Sequence, residues 1–116
     1  MLQLAVLIFA IAALGGLVLA SFVLRGRLAP WALSLLHAAL GATGLALTAL
    51  VLFGGEAAPE RTGLALLLLV VAALGGFFLA SFHLRQRPGP KPVVLIHAGV
   101  AVVGFVLLAA GAFRLF

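Results

Sequence analysis

Residues 12–38, AALGGLVLASFVLRGRLAPWALSLLHA, return at residues 72–98 as AALGGFFLASFHLRQRPGPKPVVLIHA. The offset is 60 residues without a gap, and between residues 12 and 53, 20 of 42 positions are identical to their counterparts. Agreement of that length at a fixed offset marks a duplicated unit and not shared low complexity. Each copy holds an apolar run with a Gly pair, a basic turn containing Pro, and a second apolar run with a His near its start. The chain therefore has to fold one two-helix unit twice, over residues 1–54 and 61–114, with His37 and His97 in equivalent settings.

The apolar runs cover about residues 2–24, 31–53, 63–84 and 93–113. Each reaches the roughly 20 residues a helix needs to cross about 30 Å of hydrocarbon. With 66% hydrophobic and 8% charged residues and a mean hydropathy of +1.42, the chain lies outside the composition of soluble domains. Leu, Ala and Gly without alternating polar residues argue against a barrel, so the backbone is satisfied within helices. The expected fold is an all-α integral membrane four-helix bundle, one domain over residues 1–116. It consists of two tandem helical hairpins related by a pseudo-twofold axis along the membrane normal. Residues 2–24 lack the basic start of a secretory signal and exceed its usual apolar length of about 7–15 residues, and their counterpart is internal. We read them as a structural helix.

Of the seven Lys and Arg residues, Arg25, Arg27, Arg85, Arg87 and Lys91 fall in the first and third connections. In a four-helix protein those connections share one side. The positive-inside rule puts them in the cytoplasm and both termini outside, in a bacterial inner membrane. Topology thus accounts for the net charge of +5, and nothing points to nucleic acid. Glu56 and Glu60 sit in the polar linker GGEAAPERTG, outside the hydrocarbon, where they are poor carriers of protons or cations. A small transporter needs an ionisable residue at the midplane, and the sequence offers none. The absence of Cys removes thiolate metal sites, cysteine-ligated iron–sulfur clusters and covalent c-type haem. In the turn RQRPGPKP, Pro88, Pro90 and Pro92 predict a stiff non-helical connection.

Ser34, His37, Gly41, Gly44 and Thr48 recur at steps of three and four, gathering the polar and small residues of the second helix on one inward face. His97, Ala101, Gly104 and Gly111 do the same on the fourth. His37 is seven residues past Pro30 and His97 seven past Pro90, so both lie about 10 Å inside the basic end. Imidazoles at one depth on facing helices suit bis-histidine ligation of a single b-type haem, with His37 and His97 as the axial ligands of the iron. Gly15, Gly16, Gly75 and Gly76, near that depth, leave room for a porphyrin edge. Arg25, Arg27, Arg85, Arg87 or Lys91 are suited to pair with its propionates. Val23 in the first copy is His83 in the second, an interfacial position facing water, headgroups or the polar edge of a ligand.

This layout resembles the four-helix haem bundle of cytochrome b in quinol-oxidising complexes. There the ligands come from the second and fourth helices, and Gly residues on the first and third make space for porphyrin. The resemblance spans all four helices and implies His37 and His97 as ligands and Gly15, Gly16, Gly75 and Gly76 as spacers. One His per ligand helix implies one haem instead of two. Quinone is an implied partner, although no quinone-site motif is recognisable.

A rival reading stays open. Duplication copies a structural His as faithfully as a ligand, and abundant small residues also suit a cofactor-free accessory or assembly subunit packed against larger membrane proteins. On that reading, a buried neutral imidazole finds a hydroxyl such as Ser34. On the haem reading, the chain is an electron relay, a small subunit of a larger membrane complex and not a complete enzyme.

Overall fold

The computed structural model describes residues 1–55 and 57–115. Four helices follow one another: α1 (Leu2–Leu24), α2 (Trp31–Phe53), α3 (Thr62–Leu84) and α4 (Lys91–Ala112). Glu56, one of the two linker carboxylates, lies outside the described residues. All four helices are long and apolar enough to cross a membrane. At 1.5 Å per residue, each is about 33–35 Å long.

Two boundaries differ from expectation. Thr62 opens α3, shortening the linker. Lys91 and Pro92 form the first turn of α4, so the proline-rich connection ends at Pro90. Proline is tolerated in that turn because the first N–H groups of a helix have no intrahelical partner to lose. Pro30 and Pro90 both cap their helices from outside with extended ψ, and their carbonyls accept the N–H groups of Leu33 and Ser34, and of Val93 and Val94.

The helices form a ring in which α1 packs on α2 and α4, and α3 on α2 and α4. The hairpin partners share the most extensive contacts, and the diagonal pairs do not come within 8 Å between Cα atoms. Large apolar side chains point outward: Leu17, Phe77 and Leu84 expose 66%, 67% and 72% of their surface. In water, each such side chain would forgo about 1.5–3 kcal/mol of burial. Thr48 and Thr62, by contrast, are buried. This inside-out distribution matches a hydrocarbon surround.

Burial is uneven along the bundle. The closed core, Leu2, Val6, Phe9, Val51, Ala65, Leu69 and Leu108, occupies the end that carries the termini and the α2–α3 linker. Its tightness depends on two glycines. A Cβ on Gly44 would stand 2.7 Å from the Phe9 ring, and one on Gly104 would stand 2.9 Å from Leu69 Cγ. Phe9 and Leu69, like Gly44 and Gly104, are 60 residues apart, so one contact is made twice. Toward the basic turns the inner faces loosen. Leu19, Leu40, Leu79 and Val100 are half-buried, and beyond the His depth only Ala29 and Val94 among the described residues are buried.

Candidate functional site

His37 and His97 project from α2 and α4, the diagonal helices, and meet in the loosened half with ring centroids 6.3 Å apart and planes inclined by 79°. Each ring is anchored to its own hairpin. His37 Nδ1 lies 2.8 Å from the Ala12 carbonyl oxygen of α1, and His97 Nδ1 lies 2.7 Å from that of Ala72 on α3. A carbonyl only accepts, so both Nδ1 atoms carry the proton and both Nε2 atoms have free lone pairs. Neither Nε2 has a hydrogen-bond partner among the described residues. This is the tautomer that ligating imidazoles adopt, with the outer nitrogen donating to a backbone carbonyl.

The Gly pairs meet these rings. A Cβ on Gly16 would lie 2.9 Å from His37 Cε1, and one on Gly76 would lie 3.2 Å from His97 Cε1. At Gly15 and Gly75 the nearest atoms would be 3.9 and 3.6 Å away, an ordinary contact. Gly16, Gly75 and Gly76 thus meet first the imidazole of their own hairpin, Gly15 meets Leu33, and the second glycine of each pair makes the close approach to the ring. Gly41, one turn from His37 on the same side of α2, is half-buried yet has no neighbouring atom within 4 Å of a built Cβ. Open space thus remains between the His pair and the closed core.

Among the described residues, no group of three or more His, Cys, Asp or Glu side chains converges. Two nitrogens alone do not complete the shell of an ion such as zinc, which takes four ligands. The donor set suits a metal that brings an equatorial ring of its own. The separation also fits: an imidazole–metal bond of about 2.0–2.1 Å plus roughly 1 Å from nitrogen to ring centre, taken on both sides, gives about 6 Å between centroids. Two open cavities of about 420 and 240 Å³ lie at the opposite end, around Pro59, Gly111 and Arg114, and touch neither His.

The basic turns close the site from one side. Arg25 donates Nε–H to the Ser21 carbonyl and lies over the Phe22 ring, and Arg85 does likewise with Ser81 and Phe82. Both guanidiniums cover helix C-termini, where positive charge is favoured. Arg85 also donates from Nη2 to Ser81 Oγ, and Arg25, Arg27, Arg85, Arg87 and Lys91 are all exposed at the basic end.

One cluster has no counterpart in the other copy. His83 of α3 stacks on Trp31 of α2, with centroids 4.1 Å apart and planes 11° from parallel, and its Nδ1 is 2.9 Å from Ser34 Oγ. Ser34 therefore serves His83, and His37 takes a backbone carbonyl instead of a hydroxyl. Sequence reasoning placed His83 at the interface and missed its union with Trp31. The available signal was that the three positions involved, Val23 against His83, Trp31 against Lys91 and Ser34 against Val94, all differ between the copies and fall at the same end.

Comparison of the chain with protein-family models, with curated proteins and with solved structures returns no match.

Proposed function

We propose that the chain is a membrane electron relay of b-type cytochrome character, in which His37 Nε2 and His97 Nε2 would hold one haem between the two hairpins. The observation that carries this reading is the facing pair of tautomerically fixed imidazoles, one from each hairpin, at a separation of 6.3 Å. Bound there, haem supplies a one-electron iron couple.

The protein's own groups perform the remaining work. The Ala12 and Ala72 carbonyls hold the Nδ1 protons, which aims both Nε2 lone pairs and raises their basicity. Gly16 and Gly76 let α1 and α3 approach closely enough for those bonds to form. The exposed cations of the basic turns favour an anionic ligand edge at their end of the bundle. The surrounding apolar helices lower the local dielectric, which would tune the potential of a bound iron.

On this reading the hairpins are related by a pseudo-twofold axis along the membrane normal, the basic turns are cytoplasmic and the membrane is the bacterial inner membrane. The chain works as a small subunit beside larger membrane proteins. Ala38, Ala39, Ala42, Thr43 and Ala46, all exposed on α2, offer a smooth surface to a neighbouring helix. Quinone is a candidate exchange partner within the bilayer.

A reduced-minus-oxidised absorption spectrum of protein expressed with ample haem tests the reading. The expected result is a sharp b-type α-band that His37→Ala and His97→Ala each abolish. A flat spectrum from the unaltered protein leaves the cofactor-free accessory subunit as the better account.

A further inference from the structure

The two hairpins present the same His and Gly groups to the space between them. The cluster of His83, Trp31 and Ser34 breaks that equivalence. It spans the groove between α2 and α3. In the groove between α1 and α4, the corresponding positions are Val23, Lys91 and Val94, and Val94 is buried. One groove is lined by an imidazole, an indole and a hydroxyl, the other by two aliphatic side chains with an ammonium at the rim.

The cluster also lies at a telling depth. Ser34 precedes His37 by three residues on the same inward face, and Trp31 precedes it by six, so the cluster begins about 4.5 Å from the His37 level and ends about 9 Å from it toward the basic turns. The carboxylates of a haem hang from one edge of the macrocycle, displaced from the iron by a step of the same order. His83 is half-buried, and its Nδ1 is taken by Ser34. In the tautomer in which Ser34 Oγ donates to Nδ1, the ring proton is on Nε2, which has no partner among the described residues. An N–H held rigid by stacking on Trp31 and by a bond to Ser34 is a preorganised donor to an anion. Arg25 and Arg85, by contrast, spend their Nε–H groups on the ends of their own helices.

We infer that His83, positioned by Trp31 and Ser34, receives one carboxylate of the ligand edge, and that Lys91 receives the other. This rests on the proposed haem site and adds to it the residues that recognise the propionates.

The test is the rate of haem transfer from purified protein in nanodiscs to excess apomyoglobin. It compares protohaem with its dimethyl ester, in the unaltered protein and in His83→Leu. The expected result is that His83→Leu releases protohaem roughly tenfold faster, the equivalent of about 1.4 kcal/mol, while the ester leaves both proteins at the same rate. His83→Gln, which keeps an N–H donor in that place, should restore slow release. If His83→Leu speeds the loss of protohaem and ester equally, the residue is a structural tie between α2 and α3 and the inference falls, while the relay stands. Unchanged release of both compounds overturns the inference in the same way. If the unaltered protein takes up neither compound with a bis-imidazole spectrum, the relay and this inference fall together.

Discussion

At the scale of single residues, the two glycines of each pair are predicted to behave differently despite being neighbours. A Cβ on Gly15 makes only van der Waals contact, and alanine stiffens a helix by up to about 1 kcal/mol relative to glycine. Gly15→Ala should therefore leave unfolding in detergent unchanged or shift it slightly upward. A Cβ on Gly16 meets His37 Cε1 at 2.9 Å, and the ring is tethered by its bond to Ala12. Gly16→Ala should cost about 1–3 kcal/mol from overpacking, read as a lower thermal midpoint. Equal effects at the two positions would mean that the ring yields freely. The pairing of His37 with His97 was legible in the sequence, because duplication fixed their depth and the polar stripe fixed their face. The anchors, Ala12 and Ala72, were not. A backbone carbonyl accepts whatever side chain it carries, so nothing in the residue types marks it as an acceptor.

At the scale of the helix, the ends follow one chemical rule. Gly26, Gly55, Gln86 and Arg114 each adopt positive φ just beyond their helices, at 71°, 86°, 57° and 55°. Around the first, Arg27 N–H returns to the Phe22 carbonyl and Gly26 N–H to that of Val23, and around the third Arg87 and Gln86 do the same with Phe82 and His83. This is the Schellman closure, which favours glycine at the left-handed position. Gln86 stands where the first copy has Gly26. Gln86→Gly should stabilise the protein by about 1 kcal/mol by relieving the side chain's clash in that conformation, measurable as a raised thermal midpoint with an unchanged helical circular dichroism signal. Within α1 and α2, Gly44→Ala should destabilise because the Phe9 ring is buried 2.7 Å from the new carbon, and Phe9→Leu in the same chain should recover part of the loss. Helix extents were legible because hydrophobic run length is itself the physical requirement for crossing a bilayer. The start of α4 was not, since a proline reads as a breaker by type, and only its place in the first turn makes it harmless. Nor was the stack of Trp31 on His83, which joins two helices across a long stretch of chain and leaves no periodic trace.

At the scale of the whole molecule, one asymmetry governs how the bundle sits in the membrane. Five of its seven Lys and Arg residues lie in the turns after α1 and α3, while Arg61 and Arg114 lie at the other end. The His pair is about 10 Å inside the end that carries the five cations, so orientation decides which compartment it lies nearer. Because the chain has no Cys, single thiols report this without interference. Leu28→Cys should resist a membrane-impermeant thiol reagent in intact cells and react after lysis, whereas Glu60→Cys should react in intact cells. The opposite pattern would place the basic turns, and the His pair beneath them, on the outer side. Replacing Arg25, Arg27, Arg85, Arg87 and Lys91 with Gln leaves Arg61 and Arg114 as the remaining topogenic charges. Those charges should then draw the termini and the linker inward, turning the labelling of both reporters toward the inverted pattern. Reversal under that substitution would separate topology from ligand binding as roles of the basic turns. If the chain holds the proposed haem, retention of that haem by the inverted protein shows that the basic turns serve topology alone.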